Sequence, residues 1–172
     1  MSDPAAILDA MTEGAARAAL TRCCGASRWV EGMLARRPFG DREALLSAAR
    51  EVWATMERDD VLEAFAHHPR IGADLSALRT KFAATKDWSA DEQGAVRGAD
   101  EATLEALRDG NVAYERRFGH LFIVCATGKR ADEMLALLEA RLPNEPDEEL
   151  AIAAAEQMKI TELRLLKLER SP

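Results

Sequence analysis

The stretch LFIVCA at residues 121–126 decides the fold class, because its composition could form a β-strand. It is an unbroken apolar run between Gly119 and Gly128, as is typical of a buried strand. A single strand without a partner is unstable, and no second segment of the chain has a good strand pattern. We therefore predict a buried irregular or helical segment here, within an all-α fold that has no sheet.

The segments on both sides of this run have the 3–4 residue apolar spacing of amphipathic helices. Thr12, Ser27, Asp41 and either Asp59 or Asp60 stand where N-caps are expected. The predicted helices cover residues 3–10, 12–24, 41 to about 58, about 99–118, 130–142 and about 147–169. Two more begin at residue 27, with a break over residues 36–40, and at residue 59 or 60, leading into a loop that contains histidines. A capping box at residues 89–92 would begin a further helix. Residues 73–87 are ambiguous, because Asp74 could start a helical turn through Leu75 and Leu78 whereas residues 81–87 show no firm period. We expect a single compact domain of about eight helices over residues 1–172.

The composition excludes several classes of protein. The chain has 172 residues, of which 48% are hydrophobic and 31% charged, so it has enough apolar material for a core and disorder is not expected. A formal net charge of −7 argues against a nucleic-acid partner. No run is long enough to span a membrane, and the acidic start does not resemble a secretory signal.

Cysteine and histidine usage bears on location and on metals. Cys23, Cys24 and Cys125 are odd in number and lack C-x-x-C spacing, which predicts reduced thiols in a cytoplasmic protein. The three histidines show no metal-binding spacing, so we expect a site without metal or other cofactor.

The sequence His67-His68-Pro69-Arg70-Ile71-Gly72 marks a change from helix to loop. Proline disfavours the α conformation in the residue before it, so a helix should end here and leave an imidazole at the start of a turn. A histidine in such a loop can be catalytic. It can equally be the exposed end of an ordinary proline-terminated helix.

Two other segments could supply polar groups to a site. Ser89-Ala90-Asp91-Glu92 has the pattern of a capping box, and Gln93 follows it. A helix N-terminus also favours anions, so these residues could cap a helix, bind a ligand, or do both. Arg164 lies among leucines and either extends to solvent or binds a carboxylate.

Four motifs in this order resemble the OHCU decarboxylase family, where OHCU is 2-oxo-4-hydroxy-4-carboxy-5-ureidoimidazoline. They are HPRIG (68–72), Ser-x-x-Glu-Gln (89–93), Phe-Gly-x-x-Phe-Ile-Val-Cys-Ala (118–126) and Glu-x-x-Lys-Ile-x-x-x-Arg-Leu (156–165). Ser-x-Trp (27–29) and Arg-Pro-Phe (37–39) fit as well, so the resemblance covers nearly the whole chain.

The resemblance implies a cofactor-free, all-helical enzyme of urate degradation, commonly a homodimer, that releases CO2 from OHCU to give (S)-allantoin. It makes His68, the histidine directly before proline, the catalytic residue. The residues that it implies for substrate binding are Pro69, Ser89, Ala90, Asp91, Glu92, Gln93, Phe122, Ile123, Val124, Cys125, Ala126 and Arg164.

The chemistry of these residues suits that reaction. His68 would transfer the proton, and Glu92 would orient it or polarise the substrate, raising the pKa of the imidazole. Arg164 could pair with an anionic or carbonyl group, and Gln93 with a ureido edge. We expect backbone amides of residues 122–126 to bind the ring carbonyls.

Two other functions fit parts of the pattern. A helical interaction module would show a large exposed apolar patch. A related acid–base enzyme would use the same residues on another ureido or imidazoline compound. A metal site at His67, His68 and His120 is the weakest hypothesis.

Overall fold

The structure is a computed structural model that describes residues 2–68, 75, 76, 78 and 90–168, with backbone only for residues 90–100. Eight helices lie in these residues and no strand does, so the all-α prediction is confirmed. They are α1 (Pro4–Ala10), α2 (Glu13–Cys23), α3 (Ser27–Ala35), α4 (Arg42–Trp53), α5 (Arg58–Ala66), α6 (Ala90–Phe118), α7 (Ala131–Arg141) and α8 (Pro146–Leu166).

Side-chain caps begin several of these helices as the sequence predicts. The Thr12 hydroxyl accepts a hydrogen bond from the amide of Ala15 at the start of α2 (3.2 Å). The Asp41 carboxylate does the same for Ala44 in α4 (2.8 Å). Each bond satisfies an amide that has no partner within its helix.

The predicted cap at Ser27 is wrong. Ala26 is the N-cap of α3 and makes no side-chain cap. Ser27 is the first helical residue, and both its amide (2.6 Å) and its hydroxyl (2.9 Å) donate to the Glu63 carboxylate on α5. A carboxylate from another helix therefore satisfies the start of α3, which a local sequence pattern does not reveal.

The predicted boundary between α4 and α5 is also wrong. Helix α4 ends at Trp53 rather than near residue 58, and the Thr55 hydroxyl donates to the Val52 carbonyl (2.7 Å). Helix α5 begins at Arg58, with Glu57 as N-cap. Asp60 lies in the first turn and accepts a hydrogen bond from the Glu57 amide (3.0 Å), so it supports the cap without being the cap itself.

Helix α6 is longer than predicted, since it is continuous from Ala90 to Phe118. The sequence favoured a short helix after Ser89 and another beginning near Ala99. The segment between them contains glycine but no proline. Glycine weakens a helix by about 1 kcal/mol without removing a backbone donor, so the hydrogen-bond ladder continues.

The LFIVCA segment is irregular, which is one of the two conformations predicted for it. Residues 121–126 form neither helix nor strand, and Ile123, Val124 and Cys125 are buried. A turn follows, in which Lys129 donates to the carbonyl of Ala126 (3.0 Å). Gly128 in this turn has φ +75°, a conformation that favours glycine.

The described residues group into two compact units. The first lies within Met1–His68, Ile123–Cys125 and Ile152–Pro172, and the second within Pro69–Phe122 and Ala126–Ala151. The core of the first unit is built on α1–α5, with Trp29 completely buried and its indole N–H donating to the carbonyl of Ala49 (3.1 Å). The indole of Trp53 donates to the carbonyl of Ala154 on α8 (3.1 Å), which ties α4 to α8.

The second unit packs α6 against α7. A Cβ on Gly110 would lie 2.5 Å from Leu138 Cδ2, so glycine at this position permits a close approach of the two helices. The described helices include none that is long and apolar enough to cross a bilayer.

Candidate active site

His68 lies where the chain leaves helix α5. The helix ends at Ala66 with His67 as C-cap, and the His68 amide donates to the carbonyl of Phe65 (3.1 Å). The predicted end of the helix directly before residue 69 is therefore confirmed. His68 is half-buried at this position.

The two neighbouring histidines have different surroundings. The ring of exposed His67 lies over Gly25, where a Cβ would be 2.2 Å from His67 Cγ and 2.7 Å from its Cβ. This approach requires glycine in the turn after α2. The ring of His68 instead makes its hydrogen bond with Gln157 on α8.

Gln157 is the polar partner of His68. Its side-chain oxygen Oε1 lies 2.5 Å from His68 Nε2, and the residue is only 1% exposed. It belongs to a buried stripe on α8 with Ala153, Thr161 and Leu165, spaced four residues apart. Its position on the buried face of a helix fixes where the amide can reach.

Thr161 holds the amide of Gln157 one turn further along α8. The Gln157 Nε2 donates to Thr161 Oγ1 (3.1 Å), and the Thr161 hydroxyl donates to the backbone carbonyl of Gln157 (2.9 Å). The thiol of Cys24 also contacts this hydroxyl, and burial raises the pKa of Cys24 to about 11. Cys24 is therefore a neutral wall of the site rather than a nucleophile.

The surroundings of His68 lower its pKa below the ordinary 6.5. Burial is the largest cause, because it disfavours the charged ring. The hydrogen bond to Gln157 acts in the opposite direction, while the positive charges of Arg164 and His67 lower the pKa further. Burial and the charges of Arg164 and His67 therefore act against the rise in pKa expected from Glu92, whose side chain lies outside the described residues.

Arg164 places a positive charge beside this group. Its guanidinium is exposed and makes long contacts from Nη1 to the carbonyls of Cys23 (3.4 Å) and Arg22 (3.5 Å) at the end of α2. A cation at a helix C-terminus is favoured by the helix dipole. Among the described residues no carboxylate forms an ion pair with Arg164, so its charge is available to an anionic ligand.

The buried part of the LFIVCA segment is held by α8. The amide of Cys125 donates to Glu156 Oε1 (3.1 Å), and the other oxygen of Glu156 accepts from Lys159. The Cys125 amide is therefore already bonded to the protein. This corrects, for Cys125, the expectation that the amides of residues 122–126 bind substrate carbonyls.

Phe122 belongs to a buried cluster in the second unit. Its ring lies 5.2 Å from that of Tyr114, and the Arg141 guanidinium lies 4.6 Å above it. Fully buried Glu149 accepts from the Tyr114 hydroxyl (2.5 Å), Arg141 Nε (2.7 Å) and Asn144 (3.0 Å). This ion pair fixes the position of the aromatic rings.

The remaining predicted residues are only partly accessible to description. Pro69 and Ser89 lie outside the described residues, as does the predicted cap at Ser89. The first turn of α6, of which the structure describes the backbone alone, contains Ala90, Asp91, Glu92 and Gln93. Within the described part of the chain no group of histidine, cysteine and acidic side chains could hold a metal ion.

Gln157 and Glu156, which bond to His68 and to Cys125, were not among the predicted site residues, although Glu156 is the first residue of one of the four motifs. One signal was present for Gln157. It lies four residues from both Ala153 and Thr161, which the helical period places on the inner face of α8. An uncharged polar residue on an inner face needs a partner, and here that partner is the histidine.

Comparisons with known proteins agree on one family. The OHCU decarboxylase family profile matches residues 9–166. The chain is 42% identical over 149 residues to the uric acid degradation bifunctional protein TTL of Arabidopsis thaliana, covering 85% of this chain and 45% of that protein. It is 40% identical over 73 residues to the 2-oxo-4-hydroxy-4-carboxy-5-ureidoimidazoline decarboxylase of Amia calva, covering 42% of this chain and 40% of that protein.

A solved structure has the same fold. It is a crystal structure of OHCU decarboxylase in the presence of (S)-allantoin, with a TM-score of 0.68 and 37% sequence identity. The match covers 86% of this chain and 94% of that one. The matched segments thus cover less than half the length of each of these two curated relatives, and nearly all of the crystallised chain.

Proposed function

Because the chain belongs to the OHCU decarboxylase family, we propose that it catalyses the decarboxylation of OHCU to (S)-allantoin and CO2 in urate degradation. The observation that carries the proposal is a half-buried histidine that is hydrogen-bonded to a buried amide and whose pKa is lowered by burial and by the nearby charge of Arg164. These groups suit a small anionic substrate that must lose a carboxylate and gain a proton.

The substrate supplies its own electron sink. One ring carbon bears the carboxylate and a hydroxyl, and the adjacent ring carbon is part of a C=N bond. When the C–C bond to the carboxylate breaks, CO2 leaves, the electron pair of that bond forms a C=C bond, and the C=N nitrogen takes a proton from water. The resulting enol becomes a carbonyl as its hydroxyl loses a proton and the neighbouring carbon gains one. The reaction therefore consists of C–C cleavage and proton transfers.

His68 is proposed to carry the proton from the hydroxyl to the neighbouring carbon. With its pKa lowered by burial, the ring is neutral near pH 7 and can accept the hydroxyl proton. The imidazolium so formed then donates to carbon. A donor fixed on one face of the ring would produce a single enantiomer. Acid–base catalysis of this kind contributes about 10²–10⁴-fold in rate.

Arg164 is proposed to bind the carboxylate or a ring carbonyl. Its charge lies close enough to lower the pKa of His68 and of Cys23. Charge-assisted hydrogen bonds from a guanidinium orient planar anions, so Arg164 would present the substrate to the histidine. Glu92 is proposed, from the family resemblance, to orient or polarise the substrate. The other predicted binding residues remain proposals on the same ground.

The test is the optical activity of the product. Freshly generated OHCU is mixed with the protein, and allantoin is followed by circular dichroism. Wild type should give a rapid dichroic signal, and His68→Ala should approach the spontaneous rate. His67→Ala is the matched control, since it removes the adjacent imidazole and should retain most of the activity. If wild type gives no signal above the spontaneous reaction, the proposed function is wrong.

Location and assembly are separate proposals. We propose a cytoplasmic protein, which is supported by the three cysteines being buried and free of disulfides. A homodimer is proposed from the family resemblance. Light scattering coupled to size-exclusion chromatography would test it, and a monomeric mass at micromolar concentration would refute it.

A further inference from the structure

The hydrogen bond between α8 and His68 assigns a role to a residue outside the predicted site. We propose that Gln157 is a positioning residue that holds His68 by its Nε2–H, so that Nδ1 is the nitrogen that exchanges protons with the substrate. The catalytic part of this inference rests on the function proposed above. The position of the ring proton can be tested without any substrate.

The contact between Gln157 and His68 is a buried one. Gln157 is 1% exposed, and its Oε1 lies 2.5 Å from His68 Nε2. A buried amide oxygen left without a donor destabilises the folded protein, so this contact is maintained as a hydrogen bond. An amide oxygen can only accept, and His68 Nε2 must therefore carry the hydrogen if Oε1 is the atom that faces it.

Thr161 fixes which end of the Gln157 side-chain amide faces the histidine. The Gln157 backbone carbonyl has no hydrogen, so the Thr161 hydroxyl must donate to it (2.9 Å). With its hydrogen used, Thr161 Oγ1 can only accept, and the group facing it at 3.1 Å is therefore the amide nitrogen of Gln157. The amide oxygen is left to face His68.

The hydrogen bond from His68 to Gln157 can persist through the whole catalytic cycle. A neutral imidazole with hydrogen on Nε2 has its lone pair on Nδ1. When Nδ1 takes a proton, Nε2 keeps its hydrogen, so the bond to Gln157 is present in both protonation states. The ring therefore keeps one orientation while it first accepts and then donates a proton.

An amide suits this positioning role better than a carboxylate. Within the described residues, the charged or titratable groups that act on His68 are Arg164 on α8 and His67 beside it, and both lower its pKa. Gln157 orients the ring without adding negative charge. A carboxylate in its place would favour the imidazolium and raise the pKa of His68, which would remove the base at neutral pH.

The direct test is NMR of the histidine ring. Spectra of ¹⁵N-labelled protein are recorded above the titration of His68 and assigned by difference from His68→Asn. Wild type should show an unprotonated Nδ1 and a hydrogen on Nε2 that exchanges slowly with water. In Gln157→Leu that slow exchange should be lost. A ring hydrogen on Nδ1 in wild type would overturn the proposal.

The kinetic test uses two variants of the same residue. Gln157→Leu should lower kcat by about 10²-fold with little change in KM, because the ring is no longer oriented. Gln157→Glu keeps an acceptor in place, so it should retain more activity at high pH. The acidic limb of the pH–activity profile of Gln157→Glu should move to higher pH by about one unit or more. Met158→Leu, on the same helix, is the matched control for packing.

The outcomes separate this inference from the proposed function. If wild type does not act on OHCU but shows the protected Nε2–H, the function fails and the positioning of the ring stands. If wild type acts on OHCU and both Gln157 variants keep its kcat and pH profile, the positioning role fails and the function stands. Thermal melts of all variants show whether a loss of activity reflects unfolding.

Discussion

Gly25→Ala should disturb His68 through its neighbour. The added Cβ would lie 2.2, 2.5 and 2.7 Å from His67 Cγ, Cδ2 and Cβ. Because the last of these atoms is attached to the backbone, turning the ring away does not relieve the whole clash. The end of α5 must therefore shift, and His68 is the next residue.

The expected cost follows from two opposing effects. Overpacking of this kind costs about 1–3 kcal/mol. Replacing glycine by alanine recovers about 0.4–1 kcal/mol from the unfolded chain, since Gly25 does not have a positive φ. A net loss of about 1–2 kcal/mol corresponds to a Tm lowered by about 3–6 °C in a domain of this size. Displacement of His68 should lower kcat more than stability alone would suggest, by up to about 10²-fold.

The assay is a thermal melt together with OHCU turnover, with rescue at position 67. In the Gly25→Ala background, His67→Ala removes the two shortest contacts and should restore part of the loss, and His67→Gly should restore more. Gly14→Ala is the control, because nothing lies within 4 Å of a Cβ there and the helix should gain up to about 1 kcal/mol. A Gly25→Ala protein with wild-type Tm and turnover would refute this account of the turn.

Three other predictions concern buried groups. Arg141→Met should lower the free energy of unfolding by about 3–5 kcal/mol in urea titrations, because it leaves the fully buried Glu149 carboxylate without its cation. Folding lowers the pKa of His68 from 6.5, so the neutral ring contributes to the stability of the folded protein. This contribution should be complete above about pH 6.5 and should be lost as the pH falls through the folded pKa. The melting temperatures of wild type and His68→Asn should therefore diverge as the pH falls through that range. Cys23 and Cys24, whose pKa values burial raises to about 12 and 11, should react with iodoacetamide only after unfolding, as read by intact mass.

Each of these has a distinct contradicting result. An Arg141→Met variant as stable as wild type would mean that the ion pair between Arg141 and Glu149 does not stabilise the fold. Parallel stability–pH curves for wild type and His68→Asn would mean that the folded and unfolded pKa values of His68 are equal. Alkylation of the folded protein within minutes would place one of the thiols at the surface. Each result would correct a specific contact described above.

The fold class could be predicted because it depends on local patterns. The amphipathic spacing and the caps at Thr12 and Asp41 identified helices correctly. The absence of a partner strand correctly excluded a β-strand at LFIVCA, but it did not decide between helix and irregular structure. Boundaries failed where a distant group decided them. The Glu63 carboxylate meets the start of α3, which no spacing rule contains.

The site was predictable only to the level of its motif. Pro69 correctly marked the end of α5, which gives His68 its place. The partner of His68 lies 89 residues away in sequence, and a hydrogen bond of such separation leaves no local trace. The direction in which the pKa of His68 shifts could not be predicted from the sequence either, because the shift depends on burial and on the charge of Arg164 from another helix.

The most direct test of the central claim is release of CO2 from OHCU labelled with ¹³C in its carboxylate. Wild type at pH 7.5 should release the label far faster than buffer alone, and His68→Ala, folded by its melt, should fall to near the spontaneous rate. Release by His68→Ala at the wild-type rate would contradict the role of His68, and release by wild type at the buffer rate would contradict the proposed reaction.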